Sequence, residues 1–490
     1  MRGPWTRLVP WMLGWWILGC SASPAGGDDD PGPVADGAEE RTGEDPGGDG
    51  RVPLVVPEGS RIAYGYQRYA EPGPEVDLWL ASAGDASPVS FRERLQPLGL
   101  DCRTGCLLDR TGSWLAVLVP AASEGTGTTL RLFRVEADGT PVSAGIPDVV
   151  EAWHPAFGGT RDGPAIYWSR ARPACDTDSG LPKGCRAFYR RLLRAEAPEE
   201  FLFSFPTASI LDRTLPHSGF FRLGEDGRTV IVLAPTVGSQ RIYLWRETGE
   251  PVLEGGPFCA SPDRAPDGSC LESGGAFSER DPVAVSPDGN HLVAALVVDN
   301  RRLVVWHRDL RGGDPRTTTL MEVPQGSRFD TDACYNRTPP DQWEPTRVVP
   351  PLRFTPDSSE VVLVGQAPCG ENRDKPWSKV LGLSLQRLDQ GGRLDRNDPR
   401  WITDFPPGDI AASVSILPEA LDLSPSGDLV WMVATPWLDS RGDPITDSQL
   451  QHRNDAEVIV TRRDGTAEVV QWTFGQGWRA TSVQALSPRP

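Results

Sequence analysis

The sequence predicts an all-β chain built as a β-propeller, and three observations predict it. A short cassette recurs: an apolar strand, a Ser/Thr-Pro-Asp-Gly-type turn, then a second apolar strand. The flanks are short and rich in β-branched and aromatic residues, as strands require. A third strand follows most copies, and a Gly-bearing turn with a weaker fourth strand often comes next, which makes four antiparallel strands per unit. The clearest copy runs Val283-Ala284-Val285-Ser286-Pro287-Asp288-Gly289 into Leu292-Val293-Ala294-Ala295-Leu296. Pro presets φ for the first turn corner, Asp or Ser caps the bend, and Gly accepts positive φ.

Aligned on the turn, the copies follow in order. The first is Leu54-Val55-Val56-Pro57-Glu58-Gly59 before Ile62-Ala63-Tyr64, and the second is Leu107-Leu108-Asp109-Arg110-Thr111-Gly112 before Trp114 to Leu118. A degenerate third runs from Trp153 through Gly163 to Trp168. The fourth is Phe221 to Gly227 before Val230 to Leu233, and the Ser286 copy is the fifth. Phe354-Thr355-Pro356-Asp357 before Val361 to Val364, and Leu423-Ser424-Pro425-Ser426-Gly427 before Leu429 to Val433, complete the set. This predicts seven blades, with six and eight as alternatives. Val483-Gln484-Ala485-Leu486-Ser487-Pro488 opens a further cassette, expected to pair with the first unit and close the ring. The pattern resembles the PD40 or TolB-type WD40-like repeat. That resemblance implies turn motifs that hold blades together rather than carry chemistry.

Three segments organise the chain. Residues 1–19 read as an export signal: Arg2 and Arg7, then an apolar run from Leu8 to Leu18 shorter than the roughly 20 residues a spanning helix needs. Ile17-Leu18-Gly19-Cys20 resembles the lipobox of bacterial lipoproteins, which implies cleavage before Cys20 and acylation of that residue. Residues 20–50 hold nine acidic residues against Arg41 and almost no large apolar side chain, the composition of a disordered tether reaching roughly 30 Å. Residues 51–490 form the propeller. By resemblance to other lipoproteins, Ser21 after the lipid site favours the outer over the inner membrane.

The tether supplies eight of the eighteen net negative charges, so the rest of the chain is only mildly acidic for its length. Its basic residues are scattered, which argues against a nucleic-acid partner. Nine cysteines less Cys20 leave eight, in local pairs: Cys102/Cys106, Cys175/Cys185, Cys259/Cys270 and Cys334/Cys369. In an exported chain these are expected to staple loops as disulfides, and their spacing does not fit a zinc site. No Gly-x-Ser-x-Gly elbow, His-Glu-x-x-His or phosphate-binding Gly-x₄-Gly-Lys-Ser/Thr loop occurs, so no catalytic residue, metal or cofactor is assigned. Of the five histidines, His291 and His307 fall in one unit. Trp343, Trp377, Trp437 and Trp478 lie in insertions or between strands, and on one rim they would form an aromatic platform. The expected function is a lipid-anchored envelope scaffold that binds an envelope protein or surface glycan. The alternative is an enzyme acting on polysaccharide or peptide in the central funnel, which needs polar groups on inner strands that read as mostly apolar.

Overall fold

The computed structural model describes residues 61–70, 73–82, 88–120, 128–172, 185–206, 220–236, 239–259, 282–298, 302–322, 347–367, 377–395, 398–402, 415–436, 454–461, 467–473 and 478–487. Residues 1–50 and 51–490 separate into two units, and the architecture below belongs to the second. Cys20, the tether and residues 54–59 of the first cassette copy lie outside the described residues, while its Ile62-Ala63-Tyr64 stretch is described and buried.

The strands form successive antiparallel meanders. The first group holds β1 (Arg61–Ala70), β2 (Gly73–Ser82) and β3 (Val89–Ser90). A second follows with β4 (Cys106–Leu108), β5 (Trp114–Pro120), β6 (Thr128–Val135) and β7 (Pro141–Ser143). β8 (Val149–Thr160), β9 (Gly163–Arg172), β10 (Cys185–Leu192) and β11 (Glu200–Pro206) make the third, joined to the second where β6 bridges β8. The fourth contains β12 (Phe220–Leu223), β13 (Thr229–Thr236), β14 (Ser239–Arg246) and β15 (Thr248–Cys259). Next come β16 (Val283–Val285), β17 (His291–Val298), β18 (Arg302–Asp309) and β19 (Arg316–Glu322). The sixth group comprises β20 (Arg347–Phe354), β21 (Glu360–Ala367), β22 (Trp377–Ser384) and β24 (Arg400–Trp401), while β23 (Gly392–Arg393) crosses over to pair with β19. The last group is β25 (Ser415–Leu423), β26 (Leu429–Pro436), β27 (Asn454–Thr461) and β28 (Ala467–Thr473). β29 (Trp478–Leu486) returns to pair antiparallel with β1, so the first group takes its innermost strand from the end of the ring.

Inner strands of neighbouring groups pack side by side: β8 on β12, β16 on β20, β20 on β25 and β25 on β29. Four-stranded antiparallel sheets arranged radially in this way are the blades of a β-propeller. The core lies between blades. Leu363 and Leu381 of the sixth pack with Val293 and Val305 of the fifth, all buried. Trp168, Trp245, Trp306 and Trp431 are buried strand residues, as the strand pattern suggests.

The cassette turns fold as their chemistry dictates. Ser286 Oγ accepts the His291 N–H at 2.9 Å, and Thr355 Oγ1 accepts the Glu360 N–H at 3.0 Å. In the second copy Asp109 Oδ1 accepts the N–H groups of Ser113 and Trp114. Positive φ falls on Gly112, Gly227, Gly289 and Gly427, and on Ser358 where the sequence lacks the glycine. Blades three and four touch backbone to backbone: the Gly159 N–H meets the Gly227 carbonyl at 2.8 Å. A Cβ at Gly158 would collide with that same carbonyl oxygen, so only glycine fits there.

A candidate functional site at the propeller axis

In an antiparallel four-stranded meander the first-to-second and third-to-fourth connections lie at one end. The second-to-third connection and the link to the next blade lie at the other. The cassette turns are first-to-second connections, so they share one face. Their mutual contacts agree: the Asp288 N–H donates to Ser358 Oγ, and the Glu225 N–H to the Val285 carbonyl.

At this tight-turn face the inner-strand ends are tied into a hoop. The Ser487 N–H, just past β29, donates to the Arg110 carbonyl at 2.7 Å. The Ala485 N–H on β29 donates to Asp422 Oδ2 of β25 at 3.0 Å. Arg353 Nε of β20 donates to the other oxygen, Asp422 Oδ1, at 3.1 Å. The Phe354 N–H donates to Glu225 Oε1 at 2.9 Å, so the turn after β12 reaches across the fifth blade to the sixth. The side chains of Glu225, Arg353 and Asp422 lie along this hoop, and the charges of Arg353, Asp422 and Arg110 all act on Glu225. Asp422 is buried, with both oxygens engaged. Glu225 keeps some exposed surface but is surrounded by protein. Desolvation pushes its carboxyl up to about 7, against the lowering pull of Arg353, Arg110 and the Phe354 N–H. A carboxyl of this kind exchanges a proton near neutrality and can act as hydrogen-bond donor or acceptor.

The inner strands are therefore less apolar than the sequence reading expects, because charge sits at their last turns. Arg353 and Asp422 occupy the same cassette position, two residues before the Ser/Thr. Arg110 and Glu225 stand where other copies carry Pro287, Pro356 and Pro425. Like positions on successive inner strands become neighbours around the axis. Departures from the repeat were the signal that could have found these residues.

A second polar feature lies further out on the same face, in a cleft of about 660 Å³ lined by Asp288, His291, Asp357, Ser359, Glu360 and Ser384, among others. Behind it His291 Nδ1 lies 3.2 Å from His307 Nε2, and His307 Nδ1 lies 3.0 Å from Asp389 Oδ1. Asp389 comes from the short helix α2 (Leu385–Gln390). Burial lowers the pKa of His307, opposed by Asp389 and Asp309 and reinforced by His291. A lowered folded-state pKa means the stabilisation is fully present above the unfolded value near 6.5 and is lost as pH falls below it. His307→Gln is therefore expected to flatten part of the acid limb of stability. Urea unfolding of both proteins at pH 7.5 and 5 checks this; an unchanged difference between the two pH values would refute it.

The opposite face carries nearly all the long connections. Segments 91–105, 173–184, 207–219, 260–282, 323–346, 402–414 and 437–453 all join strand ends on that side. The exception is 385–399, on the tight-turn face, which carries α2. Cys102 and Cys106 are joined in a disulfide within the first of these segments and the start of β4. Cys185 and Cys259 stand at strand ends on the same face, as do Trp377 and Trp478. Cys175, Cys270, Cys334, Cys369, Trp343 and Trp437 lie outside the described residues, within segments attached there. Among the described residues no cluster of metal-ligating side chains occurs, and no helix is long and apolar enough to cross a membrane.

No protein-family model matches the chain, and no curated protein does. Solved structures do. TolB from Acinetobacter baumannii is 13% identical, over 87% of this chain and 82% of that one, with a TM-score of 0.37. The periplasmic gluconolactonase of Pseudomonas aeruginosa is 13% identical, over 88% and 99%, at 0.42. A prolyl endopeptidase is 12% identical, over 88% of this chain and 49% of its own, at 0.47. The fold assignment rests on the strand pairing itself.

Proposed function

We propose that the protein is a cell-envelope binding or scaffolding module, anchored through Cys20 and held off the membrane by its acidic tether. One observation carries this reading: all the long connections but 385–399 attach to strand ends on one face of the ring. A rigid ring with its long segments attached on one side offers a fixed frame for a binding surface, and a fixed frame lowers the ordering cost of association. Cys102, Cys106, Cys185, Cys259, Trp377 and Trp478 stand in or beside strand ends at that face, and the remaining cysteines and candidate tryptophans fall in sequence segments attached there; these residue types suit stapled loops and aromatic anchors. The ligand is an envelope protein or a surface glycan.

The test compares three full-length proteins in capture from envelope extract and on a glycan panel. A stoichiometric ligand is expected for the unaltered protein. A Trp343→Ala/Trp437→Ala double variant should lose at least tenfold in affinity, whereas Gln386→Ala on the opposite face should bind normally. Equal loss in both variants, or no ligand at all, would defeat the proposal. A catalytic funnel is the second reading, favoured by the near-neutral carboxyl of Glu225. It requires turnover of a polysaccharide or peptide panel that Glu225→Ala abolishes.

A further inference from the structure

We infer that the axial mouth of the tight-turn face binds a small carboxylate ligand through Arg110 and Arg353, with Glu225 as the third contact. The geometry leaves donors in surplus there. Among the described residues Arg353 is engaged through Nε alone, on Asp422, and its side chain is 33% exposed, so both terminal nitrogens are available. The Arg110 side chain is exposed and takes part in none of the hydrogen bonds or ion pairs among the described residues, although its charge is felt by Glu225. Glu225 spends Oε1 on the Phe354 N–H, and Oε2 has no hydrogen-bond partner among the described residues. The hoop bonds run through Arg353 Nε, Asp422, one oxygen of Glu225 and main chain, and leave these groups free of that duty.

The chemistry selects the ligand. Two guanidinium groups repel an amine and match the fork of a carboxylate with parallel N–H donors. Asp422 offsets one positive charge and Glu225, when ionised, offsets the other. With Glu225 protonated the mouth carries one net positive charge, and its O–H can donate to the second oxygen of the ligand. Two carboxyl groups sharing one proton is a stable arrangement where two carboxylates are not. A phosphate dianion brings more negative charge than the mouth can balance. The charged groups facing Glu225 are Arg353 and Asp422 from β20 and β25, and Arg110 from the turn after β4. β16 contributes no titratable side chain.

Calorimetric titration of the full-length protein with acetate, glucuronate and inorganic phosphate tests the inference. At pH 6 one or both carboxylates should bind in preference to phosphate. Affinity should fall about tenfold by pH 8, as expected when a group with a pKa of about 7 must be protonated. Glu225→Gln, which keeps an acceptor for the Phe354 N–H and a permanent donor, should bind equally at both pH values. Arg110→Met should weaken binding at least tenfold without moving the thermal midpoint. Glucuronate binding much tighter than acetate would mark a sugar acid as the ligand; equal binding would mark a bare carboxylate. Silence with both carboxylates, preference for phosphate, or normal binding by Arg110→Met would overturn it. The long-connection face is not involved, so failure here leaves the scaffold reading untouched.

Discussion

Deleting residues 478–490 is expected to convert the protein into an aggregating chain without a cooperative unfolding transition. The deletion removes β29, whose pairing with β1 runs from Arg61↔Leu486 to Arg68↔Trp478. Val483, Ala485 and Leu486 on that strand are buried, and Leu486 belongs to the core shared by the first two blades. Burying a Val or Leu side chain contributes about 1.5–3 kcal/mol each, and the lost ladder leaves β1 without its inner neighbour. The total is of the same order as the stability of a whole domain. An unpaired strand edge is also a template for association between chains. Size-exclusion chromatography and urea unfolding read the outcome. A monomeric deletion protein with an unaltered midpoint would mean the ring does not depend on this closure.

Asp422→Ala should be the most damaging single substitution at the axis, at about 3–5 kcal/mol. The carboxylate is buried and answers two donors from two other blades, Arg353 Nε and the Ala485 N–H. Alanine strands both: a guanidinium loses its counter-charge and a backbone donor loses its acceptor. Asp422→Asn keeps acceptor capacity for one donor and is expected to cost roughly half as much. Denaturant midpoints of the three proteins decide the matter. A loss under about 1 kcal/mol for Asp422→Ala would show that the hoop is an accompaniment to closure and not a cause of it.

The repeat was the most legible part of the chain. Ser286-Pro287-Asp288-Gly289 dictates a turn by local chemistry, and β16 and β17 flank it as the alternation predicts. Closure was legible for the same reason, since Val483 to Leu486 reads as the opening of another cassette, and it pairs with β1 of the first blade. The axial charges were harder to find because they break the repeat they sit in. Glu225 makes sense only once the turn after β12 is seen to reach Phe354, a contact between residues 129 apart. No local rule supplies such a pairing. The His291–His307 contact was half visible: both residues fall in one unit, but only the β17–β18 register, which sets Val293 opposite His307, makes them neighbours.

The pairing of β29 with β1 also sets an order of events during synthesis. β1 precedes the other described strands and its inner neighbour β29 follows them, so all the intervening blades have to be made before the ring can shut. Closing a contact of such long range is entropically slow. Until then the first blade waits one strand short, and whatever shields its bare side in the interval, a chaperone or the early docking of the second blade, governs how much of the chain reaches its finished form.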